Sequence, residues 1–313
     1  MLIKFIVNRK NTVRRRIMKS YNYLYNSDLI SELKNILNGD FENAVLPLFY
    51  DPIDYDCMEL KKAMKGAGTD EDTLIEIITN RNNAVIRQIK ERYPIVNSGS
   101  DLINNVISDT SKNFKNTLVA LLEEKRKENL LSNYEECERN ARYLYENQKE
   151  SVFIEIFTEK SQADFVAIAN YYYQFYGKSL LDTVKNKFSG DFENGLIGIY
   201  YAMINPAEYF AQRIHDSIYG WGTDDNTLTR VIVTRYEIDL PEIKEVYKHK
   251  YDADMIEDIK DDTSGNYRLL LVSLAEGQYA RASFLKIDII QIIIILLWYI
   301  ILSYFYIYII IIK

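Results

Sequence analysis

Residues 65–74 read KGAGTDEDTL, and residues 219–228 read YGWGTDDNTL, the same glycine bend and helix start 154 positions apart. Working outward, GDFEN at 39–43 returns at 190–194, and DTSKNF at 109–114 returns as DTSGNY at 262–267. The shifts are 151 and 153, so a long period near 152 runs through the chain. That period halves. LIKFIVNRKN from Leu2, LIEIITNRNN from Leu74, FIEIFTEKSQ from Phe153 and LTRVIVTRYE from Leu228 follow one another at steps of 72, 79 and 75. Four tandem units of such length are the signature of a repeat architecture. We place a truncated first repeat at 1–49, which enters part-way through its pattern without a first helix and loop. The second repeat spans 50–125, a degenerate third 134–204 and the fourth 205–277.

Each full unit reads as five short helices. In the second, residues 55–64 set Leu60, Ala63 and Met64 at helical spacing. Gly66 and Gly68 break the chain, and Thr69 with Asp72 then makes a T-x-x-D capping box for the next helix. Leu74, Ile75, Ile77 and Ile78 are its buried residues. Further helices are expected at 84–93, 102–107 and 114–122, the last opened by Thr110 or Ser111. Alternating strands and Asn-Gly hairpins do not occur, so the fold class is all-α.

The bend carries the chemistry. Two repeats share it: Met64-Lys65-Gly66-Ala67-Gly68-Thr69-Asp70 and Ile218-Tyr219-Gly220-Trp221-Gly222-Thr223-Asp224. Alternate glycines permit positive φ and let backbone carbonyls turn outward. Carbonyl oxygens are hard neutral ligands of the kind Ca²⁺ takes, and a carboxylate is needed beside them. Asp109 follows Gly68, and Asp262 follows Gly222, at nearly the same distance along the chain, each closing a fourth helix. A glycine C-cap followed by a Thr-Asp N-cap would explain one such loop structurally. Two copies with an acid at matched spacing point to a site.

These loops, the DTS segments, TRYEIDL at 234–240 and DIKDDTSGNY at 258–267 resemble the annexins over about residues 2–277. The resemblance implies tandem five-helix repeats forming a curved disc with calcium loops on its convex face. It implies reversible, calcium-dependent docking onto anionic phospholipid such as phosphatidylserine. Carried over residue by residue, it gives the carbonyls of Met64, Gly66 and Gly68 with the Asp109 carboxylate as one metal site. The carbonyls of Ile218, Gly220 and Gly222 with the Asp262 carboxylate are the other. The third repeat departs from the pattern. The step from the second unit to the third carries Gly66 and Gly68 onto Tyr145 and Asn147, and Lys187 takes the acid's place. In the first, Ile36 stands there. Two competent sites are expected rather than four. The stretch YPIVNSGSDL before Asp109 is one residue longer than its counterpart, which predicts a slightly displaced helix. Trp221, between two loop glycines, is read as an indole resting at headgroup level. Lys65 is read as a phosphate contact.

Composition narrows the function further. The 313 residues carry 38 basic and 45 acidic side chains, a net charge of −7, against a nucleic-acid partner. Two cysteines, Cys57 and Cys137, and two histidines, His215 and His249, leave little for a thiolate or imidazole metal site. The cysteines read as reduced thiols. No P-loop, G-x-S-x-G, H-E-x-x-H, dinucleotide fingerprint or EF-hand loop is present, so neither an enzyme nor a small-molecule substrate is expected. Protein partners are not specified. Arg14, Arg15 and Arg16 are read as a solvated helix face rather than a targeting or nucleic-acid patch. The absence of a secretory signal gives a cytoplasmic protein recruited to membrane.

Residues 289–312 read IIQIIIILLWYIILSYFYIYIIII. As a helix they would extend about 36 Å at about 1.5 Å per residue, enough for a tilted span. Segment 278–313 is thus either a membrane anchor or an AT-rich gene-model artefact. The alternative function is a calcium-independent helical-repeat scaffold or decayed paralogue, possibly tail-anchored.

Overall fold

The computed structural model describes residues 2–220 and 222–277. Among them are nineteen α-helices, one 3₁₀ turn and no strand. The first stretch folds as α1 (Leu2–Val7), α2 (Asn11–Tyr25), α3 (Leu29–Ile36), α4 (Gly39–Val45) and the 3₁₀ turn Leu46–Phe49. The second gives α5 (Pro52–Ala63), α6 (Glu71–Thr79), α7 (Asn83–Val96), α8 (Leu102–Asp109) and α9 (Lys112–Leu122). The third gives α10 (Tyr134–Glu146), α11 (Glu150–Glu159), α12 (Gln162–Tyr176), α13 (Leu180–Lys187) and α14 (Gly190–Ile204). The fourth gives α15 (Pro206–Ile218), α16 (Asp225–Arg235), α17 (Leu240–Tyr251), α18 (Met255–Asp262) and α19 (Gly265–Ala275). The hydrophobic segment 278–313 lies outside the described residues. Among those described, no helix is long and apolar enough to cross a membrane.

The helices gather into two compact units. One draws on the chain up to Tyr50, on Ile218–Pro241 and on the stretch from Asp254, so the first repeat shares a core with α16, α18 and α19 of the fourth. There α4 packs on α16 and α19, and α1 on α19. Ile6, Leu33, Leu48, Leu228, Ile232 and Leu271 are buried between them. Arg14 overturns the expectation of a solvated arginine face, for it is fully buried. Its Nε donates to the Leu48 carbonyl at 2.7 Å, Nη1 to that of Ile6 at 3.1 Å, and Nη2 meets Glu237 at 3.1 Å. A further Nη2 bond reaches the Tyr236 hydroxyl. A buried guanidinium is tolerated only with such neutralisation, and one missing partner would leave a costly charge. Arg16, two positions on, is exposed.

The second unit holds residues 51–217 and 242–253. Its core runs from Cys57, Leu60 and Ile78 through Ile89, Phe114 and Leu118 to Phe153, Phe157, Phe165 and Leu196. Both cysteines are buried and free. Helix α14 lies against α6 and α9. The approach is close because α14 turns small residues to them. A Cβ on Gly198 would stand 2.4 Å from Cγ2 of Ile75, and one on Gly195 3.4 Å from the Phe114 ring.

Each fifth helix begins with a residue in the left-handed region: Gly39 at φ +58°, Lys112 at +51°, Gly190 at +66° and Gly265 at +60°. Only Lys112 carries a side chain there, a placement that costs an L-residue about 1–2 kcal/mol.

Two stability outcomes follow from these contacts. Gly198→Ala gains helix propensity but drives a methyl into Ile75, whose branched side chain has few alternative rotamers. A net loss of about 1–2 kcal/mol is expected, read as a lower urea midpoint at unchanged slope. Lys112→Gly relieves the strain and costs some chain entropy, for a net gain of about 0.5–1 kcal/mol visible as a raised Tm.

Candidate functional site

In the second repeat α5 stops at Ala63 and Met64 caps it. Residues 64–70 then form a closed bend, pinned where the Asp70 amide donates to the Ala63 carbonyl at 2.8 Å. Gly66 stands at φ +107° and Gly68 at +110°, conformations that any L-residue adopts only under strain. No atom lies within 4 Å of a Cβ built on either, so the constraint is the backbone and not crowding. Residues 65–68 are exposed, Lys65 included, while Met64 is buried.

The bend is tied to a helix end far along the chain. The Thr69 hydroxyl donates to the main-chain carbonyl of Asp109 at 2.9 Å, and Asp109 is the last residue of α8. This corrects the expected capping box. Thr69 is committed to Asp109, and Asp70 caps α6 instead, accepting from the Thr73 amide at 3.0 Å and the Thr73 hydroxyl at 2.7 Å. The Asp109 carboxylate is half-buried and accepts from the Ser108 hydroxyl at 3.1 Å.

The fourth repeat repeats the arrangement. Gly220 stands at φ +123° and Gly222 at +85°, both exposed with open space around them. Thr223 donates to the Asp262 carbonyl at 3.1 Å and to its carboxylate at 2.5 Å. Asp224 caps α16 through the Thr227 amide at 3.1 Å. Ile218 is half-buried and Tyr219 exposed; Trp221 lies outside the described residues. The corner is strongly negative. Burial first, then the charges of Asp40, Asp262 and Asp224, raise the Asp225 carboxyl above the ordinary aspartate range.

The extra residue ahead of Asp109 leaves no displacement between loop and helix end, since both threonine bonds form. It is taken up in the turn after α7, where Ser98 at φ +55° and Gly99 at +84° are left-handed and the Gly99 amide donates to the Pro94 carbonyl at 2.7 Å. Helix α7 itself runs on through Pro94, beyond the expected stop at 93.

The third repeat is built differently. Only residues 147–149 join α10 to α11, with the Lys149 amide donating to the Asn147 carbonyl at 2.8 Å. Tyr145 is not in a bend: it lies in α10, stacked on Tyr176 with ring centroids 3.6 Å apart. Lys187 ends α13 and Ile36 ends α3, at the positions that Asp109 and Asp262 hold in α8 and α18.

Among the described residues no three His, Cys, Asp or Glu side chains gather as metal ligands. Each of the two corners instead joins an exposed glycine bend to a helix end that carries one aspartate. Carbonyl and carboxylate oxygens are hard donors, a set that fits Ca²⁺ and not a soft transition metal.

A family model described as Annexin matches residues 1–48, 55–121, 146–199 and 209–274, one stretch for each repeat. The chain belongs to the annexin family. It is 37% identical to human annexin A7 over 279 residues, which cover 87% of this chain and 57% of that protein. The chain thus spans little more than half the length of that relative. Among solved structures it is similar to annexin III, with a TM-score of 0.84 at 35% identity, covering 88% of this chain and 87% of that one. Calcium-bound annexin (Sm)1 gives 0.80 at 29% identity, covering 87% and 83%. Annexins as a family bind phospholipid in a calcium-dependent way.

Sequence reasoning assigned Thr69 to a capping box and gave Thr223 no role of its own, whereas both make the tie. Their recurrence just before the capping aspartate was the available signal. Replacing either by Val leaves the loop without its tie, an expected cost of about 1 kcal/mol. Hydrogen exchange across residues 64–70 or 218–224 should speed up in the matching variant while the other loop stays protected.

Proposed function

We propose that this annexin docks onto anionic phospholipid through Ca²⁺ held at two corners. One is made of the carbonyls of Met64, Gly66 and Gly68 with the Asp109 carboxylate. The other is made of the carbonyls of Ile218, Gly220 and Gly222 with the Asp262 carboxylate. The observation that supports this reading best is the threonine tie: it brings each exposed glycine bend to the aspartate that ends the fourth helix of the same repeat. Bound there, the ion supplies positive charge and open coordination positions for lipid oxygens.

The chain's own residues account for the behaviour expected of such a site. A protein of net charge −7 is repelled by an anionic bilayer, so contact requires a bridging cation. One carboxylate per site places lipid-free affinity near the weak end of the calcium range, about 10⁻⁴–10⁻³ M. Lipid oxygens complete the shell, so calcium and membrane strengthen one another's binding reciprocally. The first and third repeats, with Ile36 and Lys187 at the acid's position, contribute no ion. Lys65 at the exposed loop tip is a further phosphate contact, and Trp221 the interfacial aromatic of the other loop.

Co-sedimentation with phosphatidylserine vesicles across a calcium titration tests this. Asp109→Ala with Asp262→Ala should abolish the calcium-dependent fraction, and each alone should raise the calcium midpoint by about tenfold, the equivalent of about 1.4 kcal/mol. Pelleting unchanged in the double variant would overturn the assignment.

A further inference from the structure

We propose that Lys112 is a direct contact for the lipid headgroup phosphate beside the second-repeat calcium site. This inference rests on the docking mode above and adds a ligand that calcium does not supply. Three of the four fifth helices begin with glycine in the left-handed region, as that backbone demands. The second repeat holds the same conformation at φ +51° with a lysine. Strained residues of this kind cluster at binding sites, where the side chain serves a purpose that offsets the strain. Lys112 follows Asp109 by three positions, and the Asp109 carbonyl is the acceptor of the Thr69 hydroxyl, so Lys112 shares a corner with the Gly66–Gly68 bend.

The side chain is exposed, and no hydrogen bond or ion pair engages it among the described residues. Helix α9 also has no acid in its first turn. Helix α19 shares that lack of acid but begins with glycine, and the first and third repeats differ. The first turn of α4 carries Asp40 and Glu42, and that of α14 carries Asp191 and Glu193. In the fourth repeat Gly265 stands where Lys112 does, and Arg268, three positions on, donates to the Thr263 carbonyl at 2.6 Å through Nε. A free ammonium therefore occurs at a corner that has a calcium bend, where a bound ion would repel it and an anionic headgroup would attract it. That opposition fixes the partner: Lys112 weakens the ion's site in water and strengthens it at the membrane.

The test uses the full chain with Lys112→Gly, Lys112→Gln and Lys112→Arg. Three readouts are compared: Tm, lipid-free calcium binding by calorimetry, and pelleting with vesicles of phosphatidylserine in phosphatidylcholine against phosphatidylcholine alone. Subtracting the latter removes headgroup-independent attachment. Affinity for the anionic vesicles at fixed calcium should fall about fivefold in the Gly and Gln variants, the weight of one ammonium near an anionic surface, with the deficit shrinking in high salt. Arg should restore it. Lysine-to-glycine should at the same time raise Tm, and lipid-free calcium binding should hold or tighten. Vesicle affinity equal to or above that of the parent chain in both neutral variants overturns the proposal while leaving the docking mode intact. Inorganic phosphate that competes at millimolar level would show a free-anion site instead and overturn the lipid assignment. Failure of the parent chain to pellet with calcium would overturn the docking mode itself, and this inference with it.

Discussion

A single hydroxyl-to-carbonyl hydrogen bond, made twice, organises the two glycine-bend corners. Thr69 and Thr223 each reach across to the aspartate that ends the fourth helix of their own repeat, Asp109 and Asp262. Without it the glycine bend would be a loop and the aspartate a helix terminus. With it, an exposed glycine bend and the aspartate that ends a distant helix meet at one corner. The bond is worth about 1 kcal/mol, little beside the core, but it acts at the place where positioning matters. The N-caps by Asp70 and Asp224 set the direction in which each following helix leaves the bend.

The two units hold these corners by different means. In one, the first and fourth repeats are joined around a buried guanidinium, Arg14, whose partners come from Leu48, Ile6 and Glu237. In the other, the second and third repeats share an apolar core, and α14 approaches α6 closely enough that glycine is required at 198. Both cores are helix-on-helix, and each leaves its glycine bend exposed.

The all-α class and the repeat frame were legible from spacing alone, because a GxGTD motif and a DTS motif recur at nearly one period. The glycine conformations were legible too, since only glycine adopts the positive φ of Gly66 and Gly68 without strain. Three features were not. The role of Thr69 was hidden because threonine before a helix is an ordinary cap, and its true acceptor is remote in sequence. Arg14 read as surface because nothing local reveals its partners Tyr236 and Glu237, which belong to the fourth repeat. The length mismatch before Asp109 suggested a displaced helix, but a left-handed turn at Ser98 and Gly99 absorbs it. Two of these contacts are tertiary, and the third is a local turn whose conformation a length comparison does not reveal.

The third repeat keeps the five helices and lacks the bend. Its connection shrinks to residues 147–149, Tyr145 is drawn into a stack with Tyr176, and lysine stands where the acid belongs. Both the glycine bend and the acid that ends the fourth helix are thus absent from this repeat. The most direct measurement is a crystal structure of the protein grown with calcium. An ion is expected at each of two corners, coordinated by carbonyls of residues 64, 66 and 68 with Asp109, and of residues 218, 220 and 222 with Asp262, and none at residues 147–149. Calcium bound at the third-repeat connection, or bends left without an ion at saturating calcium, would contradict it.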